Sequence, residues 1–222
     1  MVLLVLSCDK NEDLWRPFRY CVEKYYPTHP KIIYKTETKK NPYYETICKN
    51  VPLDKWTKGI RDTLKEIDDN LILLMVDDIF IRRPVDIERI DYLEKNFKGA
   101  CINFEKSFDS SDTNTNLEGI KKRSKGSLWE LSIMCGLWDK KALMGVMNCE
   151  KTPWELEETY KNTKYDFYIN SGDYIIDWGY RYLNYAGIQK GKWCLEAKEF
   201  FDNEGIEIDY GKRGFIDNNT LL

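Results

Sequence analysis

One stretch limits what this chain can fold into: Leu71-Ile72-Leu73-Leu74-Met75-Val76-Asp77-Asp78-Ile79-Phe80-Ile81. Six apolar residues run without alternation into two adjacent carboxylates, and three more apolar residues follow. An unbroken apolar run of this length is the pattern of a strand buried on both faces, inside an α/β sheet. Two carboxylates ending such a strand are costly unless a cation neutralises them. Open α/β sheets bind their ligands beyond the carboxyl ends of the strands. The doublet therefore points to a divalent metal that carries phosphate oxygens. The plainer reading is one Asp capping the next turn and its neighbour in solvent.

Strand and helix patterns alternate around this stretch, which gives an α/β fold. Residues 2–6 read as a first strand. Leu14, Phe18, Cys21, Val22 and Tyr25 share one helical face, with Asp13 as cap and Pro17 in the first turn. A short strand follows at 31–34, then a polar stretch over 36–54 with no pattern. Trp56, Ile60, Leu64 and Ile67 form the apolar face of a helix that feeds the central strand, and Arg82-Arg83-Pro84 is expected to end that strand. Asp86 caps a helix with Ile87, Ile90, Leu93 and Phe97 inward. Residues 100–104 read as another buried strand. Residues 105–116 are rich in Ser, Asp, Thr and Asn and read as a loop, either a lid or a surface insertion. A strand within 128–138 leads to a helix capped by Asp139. Thr152-Pro153-Trp154-Glu155 has the spacing of a capping box. Short strands are expected at 165–169 and 174–178. Gly191-Lys192-Trp193 is expected to open a helix over 195–203, and Gly211-Lys212-Arg213-Gly214 reads as a basic turn. No repeat or linker divides the 222 residues, so 1–222 reads as a single domain.

Composition excludes several classes. A net charge of −3 leaves no basic excess for a nucleic-acid partner. Seven scattered cysteines without a CxxC pair read as reduced thiols in a cytoplasmic protein and give no zinc pattern. With His29 the only histidine, a histidine-based metal site or catalytic triad has no material. No apolar run approaches the roughly 20 residues of a membrane span, so membrane contact is expected to be peripheral at most. After the first strand stands Ser7-Cys8-Asp9, with neither GxGxxG nor GxxxxGK[ST] in the chain. Phosphate handling then falls to acidic residues and a metal.

The central stretch resembles the DxD-type motif of GT-A glycosyltransferases, and in particular the "LLLLDDFFL" strand of small bacterial polysaccharide-locus and related large-DNA-virus enzymes. Other segments resemble that family in order. They are Val5 to Lys10 with Leu14, Trp15, Pro17 and Phe18; the Trp56-to-Leu64 helix; Gly136-Leu137-Trp138-Asp139-Lys140 with Pro153-Trp154-Glu155-Leu156-Glu157; and Gly191-Lys192-Trp193 with Lys212-Arg213-Gly214. The resemblance implies a GT-A (Rossmann-like nucleotide-binding) fold with a central mixed, mostly parallel sheet. It implies a nucleotide-sugar co-substrate, with UDP-sugar our choice, Mn2+ or Mg2+ on its diphosphate, and a glycan or glycoconjugate acceptor. Asp78 would hold the metal, and Asp77 would orient ribose or metal water. Ser7 and Asp9 would face base and ribose, and Lys58 and Arg61 would reach the nucleotide. Val76 stands where many relatives of the wider fold have an acid, and their late metal-binding histidine is missing.

The chemistry adds its own demands. A departing diphosphate needs a metal or cations, and Lys192 and Arg213, each in a glycine-flanked turn, are candidates. Inverting transfer also needs a carboxylate base for the acceptor hydroxyl. Glu157 is the first choice, kept ionised by the helix N-terminus. Glu155 is the second, because the capping box occupies it. Trp138 and Trp154 are candidates for sugar stacking or for core packing. Two alternatives stay open: a nucleotidyltransferase of similar fold, and a non-catalytic carbohydrate- or nucleotide-binding protein.

Overall fold

The computed structural model describes residues 1–107, 109–127, 130–160, 164–179 and 187–216. In chain order its strands are β1 (Val2–Leu6), β2 (Ile32–Thr36), β3 (Glu45–Cys48), β4 (Leu71–Val76), β5 (Cys101–Lys106), β6 (Thr113–Asn114), β7 (Ile120–Lys122), β8 (Cys135–Asp139), β9 (Phe167–Asn170), β10 (Ile188–Gln189) and β11 (Lys192–Trp193). The helices are α1 (Trp15–Tyr25), α2 (Trp56–Leu64), α3 (Ile87–Asn96), α4 (Lys140–Val146), α5 (Pro153–Thr159) and α6 (Leu195–Asn203). They fall into two compact units. The first comprises Met1–Lys10, Pro30–Val76 and Asp86–Ile175, and the second Asn11–His29, Asp77–Val85 and Ile176–Leu222.

The first unit is built on one sheet with the strand order β3-β2-β1-β4-β8-β5-β9-β7-β6. The β3-β2-β1-β4 run is parallel throughout, the arrangement of the mononucleotide-binding half of a Rossmann-type sheet. β8 enters antiparallel between β4 and β5, and β7 runs antiparallel to β9; the other strands point one way. The expected α/β architecture with a mixed, mostly parallel sheet is therefore present. β4 is buried on both faces, as its sequence requires: Ile72, Leu73, Leu74 and Met75 have no exposed surface. On one face Val2, Leu4, Ile72 and Leu74 pack with Ile60 and Leu64 of α2 and with Leu143 and Val146 of α4.

Local signals hold where they were strongest. Asp86 accepts from Arg89 N–H and caps α3, and Asp139 accepts from Ala142 N–H and caps α4. Each such cap contributes about 1 kcal/mol. The capping box at Thr152 and Glu155 opens α5. Three departures concern β-structure in the first unit. β4 ends at Val76, so 79–81 are not strand. β3 lies within the stretch that showed no pattern, because an edge strand with only Ile47 buried leaves no run to read. The strand expected within 128–138 is the shorter β8, and Leu128 and Trp129 lie outside the described residues.

In the second unit α1 buries Trp15, Phe18, Cys21 and Val22. Asp13 does not cap it; a 3-10 turn over Asp9–Leu14 leads in, and the position before the helix makes no side-chain cap. Phe80 stacks on Trp193 with centroids 5.7 Å apart and meets Phe201 edge-on at 4.9 Å. The apolar residues after Asp78 thus serve this core and not a strand. Residues 174–178 form no strand. Gly191-Lys192-Trp193 opens no helix: Lys190 at φ 50° and Gly191 at φ 77° make the two-residue turn of the β10–β11 hairpin. α6 follows as expected. Among the described residues no helix is long and apolar enough to cross a membrane.

Candidate functional site

In the second unit Asp77 and Asp78 follow β4 directly. Asp77 is 1% exposed, and its Oδ1 accepts from Asn11 Nδ2 at 2.7 Å. Asn11 Oδ1 in turn accepts from the Arg213 guanidinium at 3.0 Å. Arg213 grips Asp13 in a bidentate pair with both contacts at 2.7 Å, and Lys212 adds a third at 3.1 Å. Burial would raise the Asp13 carboxyl, but these two cations hold it below its ordinary range. Asp78 is different. Burial pushes its carboxyl up to about 6, opposed by its own backbone N–H and by the charge of Arg213. Among the described residues no other group donates to it.

Asp78 is held in place by backbone. Its carbonyl accepts from Ile188 N–H at 3.0 Å, and a Cβ on Gly187 would stand 1.8 Å from the same oxygen. Only glycine permits that approach. Lys192 is exposed on β11.

The first unit holds the remaining candidates. Ser7 and Asp9 lie at and just past the end of β1. Burial alone would raise the Asp9 carboxyl, but the Thr38 hydroxyl, with the Thr38 and Lys39 N–H groups, brings it down to about 2. Lys35 is buried nearby with its Nζ 3.8 Å from Glu37. On α2, Lys58 pairs with Asp62 at 2.5 Å, and Arg61 donates to Asn148 at 2.6 Å.

The two glutamates of α5 separate cleanly. Glu155 accepts from Thr152 N–H at 2.9 Å and from its hydroxyl at 2.8 Å, which hold its carboxyl low. Glu157 turns inward. Burial pushes it up to about 7, against a 2.8 Å hydrogen bond from Ile133 N–H and assisted by Glu105 and Glu158. The expected pull of the helix N-terminus toward an ionised Glu157 is thus opposed by burial. Trp138 is fully buried against Phe167 and belongs to the core, whereas Trp154 is 62% exposed.

Glu105, Asn11 and Asp13 were not read as site residues. Glu105 sits near the end of β5 just as Asp77 follows β4, so the strand-end rule applied to the next buried strand finds it. Asn11 and Asp13 carry no such signal.

Among the described residues no three His, Cys, Asp or Glu side chains converge as a metal cage. The arrangement fits a metal of another kind. A hard cation bound mainly through diphosphate oxygens and water needs one or two carboxylates, and Asp78 is a half-buried carboxyl that pairs with no cation among the described residues.

No protein-family model and no curated relative matches the sequence. Among solved structures the chain is similar to bifunctional IspDF from Campylobacter jejuni (TM-score 0.44, 18% identity, covering 78% of this chain and 50% of that one). It is similar to residues 1–349 of S. aureus TarS (0.47, 7%, 75% and 59%). A third is the galactosyltransferase LgtC, solved with donor and acceptor sugar analogues (0.42, 10%, 65% and 60%). The chain spans less than two thirds of each of these. At this level the likeness assigns no reaction, substrate or partner.

Proposed function

We propose that this chain is a metal-dependent glycosyltransferase that moves a sugar from a nucleotide-sugar, UDP-sugar in our reading, to an acceptor hydroxyl on a glycan or glycoconjugate. One observation carries the reading: a half-buried Asp78 whose carboxyl accepts from no other residue among those described, beside an Asp77 already bonded to Asn11, both directly after the central strand of a β3-β2-β1-β4 parallel sheet. Asp78, with Asp77 behind it, would hold Mn2+ or Mg2+, which when bound supplies charge to a diphosphate leaving group. Arg213 adds positive charge there while Asp13 and Asn11 fix its direction. Lys192, exposed on its hairpin and without such a clamp among the described residues, is assigned to the outer phosphate. Ser7, Asp9, Lys58 and Arg61 are assigned to the nucleoside. Glu157 takes the acceptor's proton, since a base with affinity near neutrality works best at the operating pH.

The nucleotidyltransferase alternative asks for a glycine-rich basic loop after β1, and residues 9–14 form a 3-10 turn without glycine. A thermal-shift screen of nucleoside diphosphates and nucleotide sugars, with and without Mn2+, tests the proposal. Stabilisation grows as RT ln(1 + [L]/Kd), so UDP-sugar with Mn2+ should give the largest shift. Equal shifts with and without Mn2+, or none with any nucleotide, would overturn it.

A further inference from the structure

The sheet carries a second inward carboxylate whose setting ties it to Glu157. Ser132 Oγ donates to Glu105 at 3.2 Å, and the next residue, Ile133, donates its N–H to Glu157 at 2.8 Å. Two consecutive residues thus hold two glutamates that arrive from β5 and from α5. The residue after them, Met134, accepts from Val76 N–H at 3.1 Å, at the last residue of β4. Two residues before Glu105, Asn103 is 1% exposed and its Nδ2 has no partner among the described residues. A Cβ on Gly136, its opposite number on β8, would stand 3.1 Å from Asn103 Oδ1. Among the described residues this strand end therefore keeps both acceptors and a donor with bonding capacity to spare.

We propose that Glu105 is a positioning residue for Glu157: the two carboxyl groups hold one proton between them, and the pair is the base for an inverting, single-displacement transfer. The inference rests on the transferase reading above. Like charges held by consecutive residues in a half-buried place resist ionising together, so the pair titrates as a unit and not as two ordinary glutamates. Burial raises Glu105 as it does Glu157, with Ser132 and then Arg123 opposing. The other groups facing the pair are Glu158 on α5 and the buried thiols of Cys101 and Cys135. With one proton already shared, the pair carries a single negative charge. In the step the acceptor O–H proton moves to Glu157, and the oxygen's electron pair forms the bond to the anomeric carbon. The bond from that carbon to the phosphate oxygen breaks, and its electrons leave on the nucleoside diphosphate. The pair becomes neutral, which its half-buried setting favours, and then loses one proton to water.

The test uses the full chain, with carboxyl 13C NMR titration of wild type and Glu105→Gln, and the pH–rate profile of transfer to one acceptor. In Glu105→Gln the Glu157 proton affinity should fall roughly tenfold, as expected on removing a close like charge. The acid limb of kcat/KM should move down in pH with it. Ser132→Ala, which removes the hydrogen bond to Glu105 and keeps its charge, should move the limb up. An unmoved Glu157 midpoint in Glu105→Gln, or an acid limb indifferent to Ser132→Ala, overturns the proposal. A moved midpoint in a protein that turns over no nucleotide sugar at any pH would uphold the shared proton and sink the transferase reading.

Discussion

The ends of β1 and β5 carry acidic side chains of the same kind and treat them in opposite ways. Past β1, Asp9 is filled by the hydroxyl and N–H of Thr38 and the N–H of Lys39, and its carboxyl sits at about 2. Near the end of β5, Glu105 and its α5 neighbour Glu157 each have one donor among the described residues, and both are raised by burial. A carboxylate whose lone pairs are filled by the protein is part of the architecture and stays charged at any ordinary pH. One left short of donors and partly withdrawn from water keeps its proton to a higher pH than an ordinary carboxyl. In the second unit Asp78 belongs with the latter, and Asp13, clamped by Arg213 and Lys212, with the former.

The contrast breaks most readily at α5. Glu157→Gln should lower transfer by roughly 10²–10⁴, the loss typical of a general base, with donor affinity kept. Glu155→Gln retains the capping box, since Gln serves there too, and should leave the rate near wild type. Kinetics of both mutants with one acceptor decide it, and a dead Glu155→Gln beside an active Glu157→Gln would reverse the assignment. Asp78→Ala comes next. It should remove the Mn2+-dependent gain in donor affinity, a loss of at least the roughly 10–100-fold seen when even outer partners of a metal are removed. Asp77→Ala should do less, because that side chain already serves Asn11. Calorimetry with and without Mn2+ reads this directly, and a larger loss in Asp77→Ala would exchange the two roles.

The smallest effect sharpens the other side of the comparison. Asp9→Asn should cost about 1.5–3 kcal/mol at neutral pH, the range for a charge-assisted hydrogen bond. Because the folded value lies below the unfolded one, the stability that Asp9 contributes is present above about 4 and lost as pH falls through about 2. Denaturant midpoints of wild type and Asp9→Asn should therefore converge between those pH values. A constant gap down to pH 2 would mean that packing, not charge, makes the difference.

Legibility in the sequence follows the range of the interaction concerned. The caps at Asp86 and Asp139 and the box at Thr152 are written within a few residues and are found as read, and so are the β4 run as far as Val76 and the α2 face as far as Leu64, with Ile67 past the helix end. What depended on distant partners was not legible. β3 has one buried residue and borrows its order from β2. Ile79, Phe80 and Ile81 look like more strand until Trp193 and Phe201 show what they pack against. Glu157 looked like a glutamate held charged by its helix, and its neutral tendency comes from burial beside Ile133 and Glu105, elements that no local pattern links to it.

The reversed direction of β8 carries a consequence for connectivity. Its first residue, Cys135, pairs with Met75 near the end of β4, and its last, Asp139, pairs with Leu71 at the beginning. Had β8 run parallel to its neighbours, the loop entering it would lie a strand's length away, about 17 Å for five residues at the usual rise. Ser132, Ile133 and Met134 would then open onto the far edge of the sheet. One antiparallel strand thus converts an incoming loop into a fitting for the edge where the parallel strands finish. Inserting or deleting residues ahead of Cys135 would shift that fitting while leaving the sheet intact.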